Sequence, residues 1–330
     1  DSSISTNLWV KISLAKGGSR GFWSFSFYKV LPKFIGKMNH PLSRSEIIMG
    51  ISQIKSIGII GAGTMGAGIA QAFAESGYET IWFNRSEGGM ERGLNLVRLN
   101  QETLIKNGVL TEEAAKSAME RLKITYKIDD LADVDFISES VAENMGIKQE
   151  IFTNVDKICR KDCIFTSNTS GLSITTIASS VSNPERFVGM HWWNPPHIMP
   201  LVEVIKGEKS SEEICMIVID ICKNLGRKPV FVKKDVPGFI GNRIQLALQR
   251  EVLNILEQGI ADPEDIDAVM KYGPGARWAL YGPCEIADLA GLDIMASVAD
   301  YLFKDLSNAQ NVPKILADKI VKKEFGAKTG

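Results

Sequence analysis

The chain is poor in histidine and cysteine. Three histidines and five cysteines (159, 163, 215, 222 and 284) occur in 330 residues, and no two cysteines form a C-x-x-C pair. That argues against a metal site and against a disulfide framework, and it fits a reducing, cytoplasmic location. No apolar run approaches the ~18 residues of a spanning helix, so no membrane partner is expected. Net charge is −1, which gives no general attraction for nucleic acid or anionic lipid. What remains is the composition of a folded globular protein, 45% hydrophobic and 23% charged, long enough for two domains and a large core.

The most informative stretch is IGIIGAGTMGAG at 57–68. Ile57–Ile60 reads as a buried strand and Met65–Ser76 as a helix. Between them Gly61, Gly63 and Gly66 fit G-x-G-x-x-G, with Thr64 and Met65 at the helix start. In a strand–turn–helix context this pattern points to a dinucleotide. The first glycine makes the turn, the second lets a pyrophosphate approach the backbone, and the third lets helix and strand pack closely. The helix N-terminus supplies free N–H groups and a positive dipole end.

Residues 1–48 are different in kind. Seven Lys/Arg face only Asp1 and Glu46, nine serines and an aromatic cluster fill the rest, and no helical or strand period is sustained. The segment is therefore expected to lie outside the fold. Three readings fit it. It is a translated upstream or added segment with the native start at Met38 or Met49, an organelle transit peptide that would make the location mitochondrial, or an extra interaction arm. The first is favoured, because Met49 lies just ahead of the first strand.

Downstream, strands are expected at Glu79–Phe83, Leu122–Tyr126, Val134–Ser138, Cys163–Thr166, Phe187–His191, Val202–Ile205 and Lys228–Val232. Helices are expected at Met90–Asn107, Thr111–Lys123 (with Thr111 as N-cap), Gly146–Ile158 and Ser210–Leu225. Alternating strands and helices indicate an α/β fold, a doubly wound Rossmann-type parallel sheet over residues 49–236. Ligands in such sheets lie outside the carboxyl ends of the strands. There fall the glycine turn, Asn84, Glu139 and Glu143, the polar cluster 167–170, and His191–Asn194.

From Pro237-Gly238 onward only helical periodicity is seen. Residues 237–330 read as a smaller all-helical domain with helices at Phe239–Gln258, from Asp262-Pro263, from Gly282-Pro283 and at Pro313–Glu324. Its wide apolar faces suggest an oligomer contact; a closed bundle explains the same pattern.

Two positions bear on chemistry. Asn84 ends the second strand, 18 residues beyond Gly66, where an acid usually meets the adenosine ribose. Asn84-Arg85-Ser86 leans toward NADP or dual use, since an amide does not repel a 2′-phosphate and a guanidinium can clamp it. An ordinary polar strand end with NAD bound remains the alternative. Glu203 sits inside the apolar run LVEVI, where a carboxylate is costly unless paired. Pairing with His191 would orient the imidazole and raise its basicity, as proton abstraction from an alcohol requires. Taken alone, a single histidine is more often a structural one, and His197 has only that reading.

Further segments carry a resemblance: GAGTMGAGIAQAFAESG, ISESVAENMGIKQEIF, SNTSGLSIT, GMHWWNPPHIMPLVEVIKG, DVPGFIGNRI, GPCEIADLAGLD and the terminal AKTG. From about Lys55 to Gly330 the chain resembles the L-3-hydroxyacyl-CoA dehydrogenase (3-hydroxybutyryl-CoA dehydrogenase) family. The resemblance implies that His191 is the general base, Glu203 its orienting carboxylate, Ser170 a partner of the substrate hydroxyl, and Asn242 a neighbour of the acyl carbonyl. It implies that Glu143, Lys148, Asn194 and Lys328 touch the dinucleotide, that the cofactor is NAD or NADP, and that the helical domain makes a homodimer.

Three departures stand against the family pattern. Asn84 replaces the ribose-binding acid. Thr103 and Asn107 stand where lysines commonly hold the CoA phosphates, leaving Lys106. Pro200 in MPLVEV, with RWALYGP at 277–283, is similar to relatives that oxidise small free hydroxy acids, of the L-gulonate 3-dehydrogenase and carnitine dehydrogenase kind. DLAGLD and NPP fit the acyl-CoA members. The leading expectation is reversible NAD(P)-dependent oxidation of a short-chain L-3-hydroxyacyl-CoA. A non-CoA 3-hydroxy acid dehydrogenase and a non-catalytic, dehydrogenase-derived binding protein are the alternatives.

Overall fold

A computed structural model describes residues 54–329; the segment 1–48 lies outside the described residues. Eight strands form one sheet, in the order β3-β2-β1-β4-β5-β6-β7-β8. They are β1 Ser56–Ile60, β2 Glu79–Phe83, β3 Leu122–Thr125, β4 Phe136–Glu139, β5 Ile164–Ser167, β6 Phe187–Trp192, β7 Leu201–Ile205 and β8 Lys228–Val232. All neighbours pair parallel except β6 and β7. The strands read from sequence are all present, within two residues at each end. The one departure from a wholly parallel sheet has a simple cause. The connection from Trp192 to Leu201 is too short for a crossover helix, and a parallel return needs about a dozen residues or more.

The helices that cover the sheet are α1 Thr64–Glu75, α2 Glu87–Lys106, α3 Glu112–Arg121, α4 Met145–Ile158, α5 Ile174–Ala178 and α6 Glu212–Asn224. Two apolar layers result. Phe73, Val97, Ala118 and Val218 pack α1, α2, α3 and α6 on one face. Phe152, Val155, Ile174 and Ile177 pack α4 and α5 on the other. The inner strands β1, β4, β5, β6 and β7 are buried on both sides and hence mostly apolar, as in other sheets covered on both faces.

Helix starts differ in an informative way. In α2 to α6 a Ser, Thr or Asn side chain (Ser86, Thr111, Asn144, Ser173, Ser211) accepts a first-turn N–H. Helix α1 begins at Gly63, which has no side chain to do so, and its first turn carries no acid. Its N–H groups are left open to a ligand.

Beyond β8 the chain is helical: α7 Gly241–Glu257, α8 Pro263–Tyr272, α9 Pro274–Trp278, α10 Pro283–Ala290, α11 Leu292–Leu302 and α12 Lys314–Val321. Asp235 ties the crossing to the sheet domain, its Oδ2 accepting from Ser173 Oγ at 2.7 Å and Thr175 N–H at 2.8 Å. The closed-bundle alternative fails. Among the described residues after Phe239 only Ile266 is buried, while Ile244, Leu246, Leu289 and Val321 are exposed. A closed bundle would hide an apolar stripe on every helix.

Candidate functional site

The site is one cleft of about 930 Å³ along the carboxyl ends of the strands. Gly61, Gly63, Thr64, Met65, Asn84 and Arg85 line one end. Glu143, Ser170, His191, Asn194 and Asn242 line the other. Glu203 lies behind His191, and Gly66 lies behind the turn; both are buried. The side chain of Lys328 lies outside the described residues.

The three motif glycines are required for three different reasons. Gly61 has φ +106°, and a Cβ there would strike the Ser140 carbonyl. A Cβ on Gly66 would strike the Gly61 carbonyl, so α1 and β1 meet only without it. Gly63 has nothing of the protein within 4 Å of where its Cβ would stand, although it lines the cleft. Its bareness serves a ligand rather than the fold. With the uncapped α1 start, this fits a pyrophosphate against the backbone.

At the other end the antiparallel register sets His191 directly opposite Glu203. His191 Nδ1 lies 2.8 Å from Glu203 Oε2, with the histidine 5% and the glutamate 1% exposed. The other carboxylate oxygen accepts the N–H groups of Ile240 (3.0 Å) and Gly241 (2.9 Å) at the start of α7. Burial acts to raise the Glu203 carboxyl; the bonds from His191, Gly241 and Ile240 outweigh it and hold the group below the usual carboxylate range. Glu203 is therefore ionised and the imidazole presents Nδ1–H to it, leaving Nε2 with the lone pair.

The backbone entering α7 is bent to allow this. Gly238 (φ +75°) and Phe239 (φ +51°) are both left-handed, which for phenylalanine costs about 1–3 kcal/mol. Phe239 is buried against the imidazole, with ring centroids 5.7 Å apart, and Trp193 flanks it at 5.9 Å. Gly241 carries no Cβ because Trp193 occupies that space. His197 has a structural setting instead. Burial, together with the Arg227 charge, pushes it down to about 4, so it is neutral.

Ser170 is held by its backbone from both sides. Its N–H donates to Glu143 Oε1 at 2.8 Å, and its carbonyl accepts from Asn242 Nδ2 at 2.8 Å. Its hydroxyl makes no hydrogen bond among the described residues.

Lys148, which the resemblance places at the dinucleotide, lies behind the cleft wall. Its side chain is fully buried and does not line the cleft. The ammonium donates to both oxygens of Glu139 (2.7 and 3.0 Å) and stands 3.5 Å from Glu143 Oε2. A buried cation without a counter-charge would be too costly, and the Glu139 carboxylate supplies it. Two residues in this region carried no role in the sequence reading. Glu139 ends the apolar strand FISE, the same signal that singled out Glu203. Asn168 bridges β4–β6, accepting from Trp192 N–H at 2.8 Å and donating to Ser140 Oγ at 3.2 Å.

Comparison with known proteins decides the family. Residues 56–236 match the family model described as "3-hydroxyacyl-CoA dehydrogenase, NAD binding domain", and residues 238–330 match "3-hydroxyacyl-CoA dehydrogenase, C-terminal domain". The chain belongs to the 3-hydroxyacyl-CoA dehydrogenase family. The 3-hydroxybutyryl-CoA dehydrogenase of Clostridioides difficile is 35% identical over 83% of this chain and 96% of its own. The 5-formyl-3-hydroxy-2-methylpyridine 4-carboxylate 5-dehydrogenase of Mesorhizobium japonicum is 38% identical over 84% and 89%. Among solved structures, a 5-dehydrogenase of that pyridine acid, named as an NAD+-dependent dismutase, gives a TM-score of 0.79 at 38% identity, covering 84% of this chain and 89% of that one. The (S)-3-hydroxybutyryl-CoA dehydrogenase of Ralstonia eutropha gives 0.70 at 38% identity, covering 84% and 97%. As a member of this family the chain is an NAD-dependent oxidoreductase, and the cleft fits that cofactor.

Gly63→Ala tests the glycine turn. The added Cβ has no protein atom of the described residues within 4 Å, so the thermal midpoint stays near the wild-type value while the NADH dissociation constant rises about tenfold or more, equivalent to ~1.4 kcal/mol. Unchanged NADH binding by fluorescence titration would remove the dinucleotide from this turn.

Proposed function

We propose that the protein catalyses reversible oxidation of a short-chain L-3-hydroxyacyl-CoA to the 3-oxoacyl-CoA. The observation that carries this is the His191–Glu203 cross-strand pair opening on the same cleft as the uncapped glycine turn. NAD, when bound, supplies the hydride acceptor. His191 Nε2 takes the hydroxyl proton, and Glu203 stabilises the imidazolium that forms. The free hydroxyl of Ser170 and the amide of Asn242 hold the substrate's oxygens, and Glu143 and Asn194 border the cofactor. A binding protein without turnover would have no use for a histidine held in one tautomer beside an open cleft. Acetoacetyl-CoA with NADH should be consumed, seen as loss of near-ultraviolet absorbance. His191→Gln should lower kcat by about 10²–10⁴-fold and leave NADH binding intact. A substantial residual rate would remove His191 as the base.

A second reading, a compact hydroxy substrate without CoA, is favoured by helix α2. Thr103 Oγ1 donates to the Leu99 carbonyl at 2.8 Å, and Asn107 Nδ2 to the Thr103 carbonyl at 2.7 Å. Both side chains are turned onto their own helix where phosphate-binding lysines would stand. The similarity to the pyridine-acid dehydrogenase supports the same reading. Turnover of a free hydroxy acid such as gulonate or carnitine, with none of acetoacetyl-CoA, would replace the first reading by this one.

Asn84 and Arg85 extend the cofactor range to NADP in our reading. Asn84 Nδ2 is held by the Ser86 carbonyl at 2.8 Å, and Arg85 is exposed with no ion pair among the described residues. The residue that ends the strand is an amide, which does not repel a 2′-phosphate as a carboxylate would. Arg85→Ala should raise the NADPH KM about tenfold with little effect on NADH, the loss of one charge-assisted contact. An unchanged ratio would refute the assignment.

The exposed apolar faces of α7 to α12 are assigned to a second copy of the chain. Sedimentation equilibrium should give twice 36.3 kDa; a monomer across the micromolar range would refute it.

A further inference from the structure

We propose that Glu139 and Lys148 are positioning residues for the reaction. They act through Glu143 on Ser170, although neither reaches the cleft. The inference rests on the reading above that Ser170 meets the substrate.

The geometry is a continuous relay. Glu139, at the end of β4, is fully buried and fully bonded. Its Oε1 accepts from Lys148 Nζ (2.7 Å) and Val141 N–H (2.6 Å), and its Oε2 from Lys148 Nζ (3.0 Å) and Ser167 Oγ (2.6 Å). Lys148, on α4, turns its ammonium toward Glu143 Oε2 at 3.5 Å. Glu143 is half-exposed and faces the cleft. Its Oε1 receives Thr169 Oγ1 at 2.6 Å and Ser170 N–H at 2.8 Å. A half-exposed glutamate on a loop has many rotamers, and ordering one costs entropy. A buried ammonium held in place by Glu139 selects the rotamer that clamps Ser170.

The fold alone does not call for this pair. A buried ion pair is often replaced by apolar residues of similar volume with no loss of stability. Its placement, one contact behind a carboxylate that faces the cleft, gives it a role at the site. A misplacement of about 1 Å at a reacting group can cost on the order of a hundredfold in rate.

The test uses the full chain and the double variant Glu139→Gln with Lys148→Met, which removes both charges together and leaves no unpaired ion. Expected is a kcat lowered about ten- to a hundredfold, with the thermal midpoint near wild type. The loss should also vanish in a Ser170→Ala background, because without the hydroxyl the relay has no substrate-facing group left to position. Additive losses, a wild-type kcat, or a fall in NADH affinity without a fall in kcat would each overturn the proposal. Glu143→Ala, at a half-exposed position, provides a variant whose folding is not at issue. It should match the double variant in kcat, and its retaining full kcat would also overturn the relay. Hydrogen exchange at the Ser170 amide gives a readout independent of turnover. Protection there should fall in the double variant while protection of the core strands persists; unchanged protection at Ser170 would sink the idea. These results are separable from the reading of the site, which fails instead if His191→Gln turns over normally.

Discussion

The carboxylate of Glu203 is the point on which the rest of the structure depends. One oxygen holds the imidazole of His191 and the other holds two N–H groups at the start of α7. A charge this buried persists only if its lone pairs are met. The sheet, the left-handed turn at Gly238-Phe239 and the first helix of the helical region must all arrive together to meet them. The positive end of α7 adds to the stabilisation. The same three bonds keep Glu203 ionised and keep the proton on the histidine nitrogen that faces away from the cleft. Stability of the α7 junction and orientation of the His191 imidazole are one electrostatic problem with one solution.

The cleft has a corresponding logic at its two ends. At the glycine turn the protein leaves backbone donors unmet, in contrast to the side-chain caps on the next five helices. At the histidine end the carboxylates of Glu203 and Glu143 are met by donors, while the buried indole N–H groups of Trp192 and Trp193 have no partner among the described residues. Glu139 and Lys148 repeat on the β4 side what Glu203 does on the β7 side: a carboxylate at or inside an apolar strand is neutralised by a partner, and a backbone segment is held in the process.

Much of this was legible in the residues. The strands announce themselves because they are buried on both faces and so read as apolar runs. The glycines at 61, 63 and 66 mark a turn because each is needed by a steric contact or a bare approach. Glu203 was conspicuous because a charge within LVEVI demands a partner. Glu139 carried the same signal more weakly, at a strand end where an acid is unremarkable. Lys148 falls at a family position that touches the dinucleotide, and only the packing of α4 against β4 shows its ammonium bonded to Glu139. The antiparallel strand was implicit in the short Trp192–Leu201 connection, yet nothing local in β7 distinguishes it from a parallel neighbour.

The sequence by itself determined the class of fold and the glycine turn, and it singled out Glu203 as a carboxylate in need of a partner, because these follow from periodicity and from the cost of burying charge. Tertiary structure decided what depends on direction and register. It set His191 opposite Glu203 across an antiparallel pair, sent Lys148 to Glu139, and clamped Ser170 between Glu143 and Asn242. It also left the apolar faces of the terminal helices uncovered. Spacing along the chain states which residues are available. Only the folded geometry states which lone pairs they meet, because a hydrogen bond is satisfied within a few tenths of an ångström or not at all.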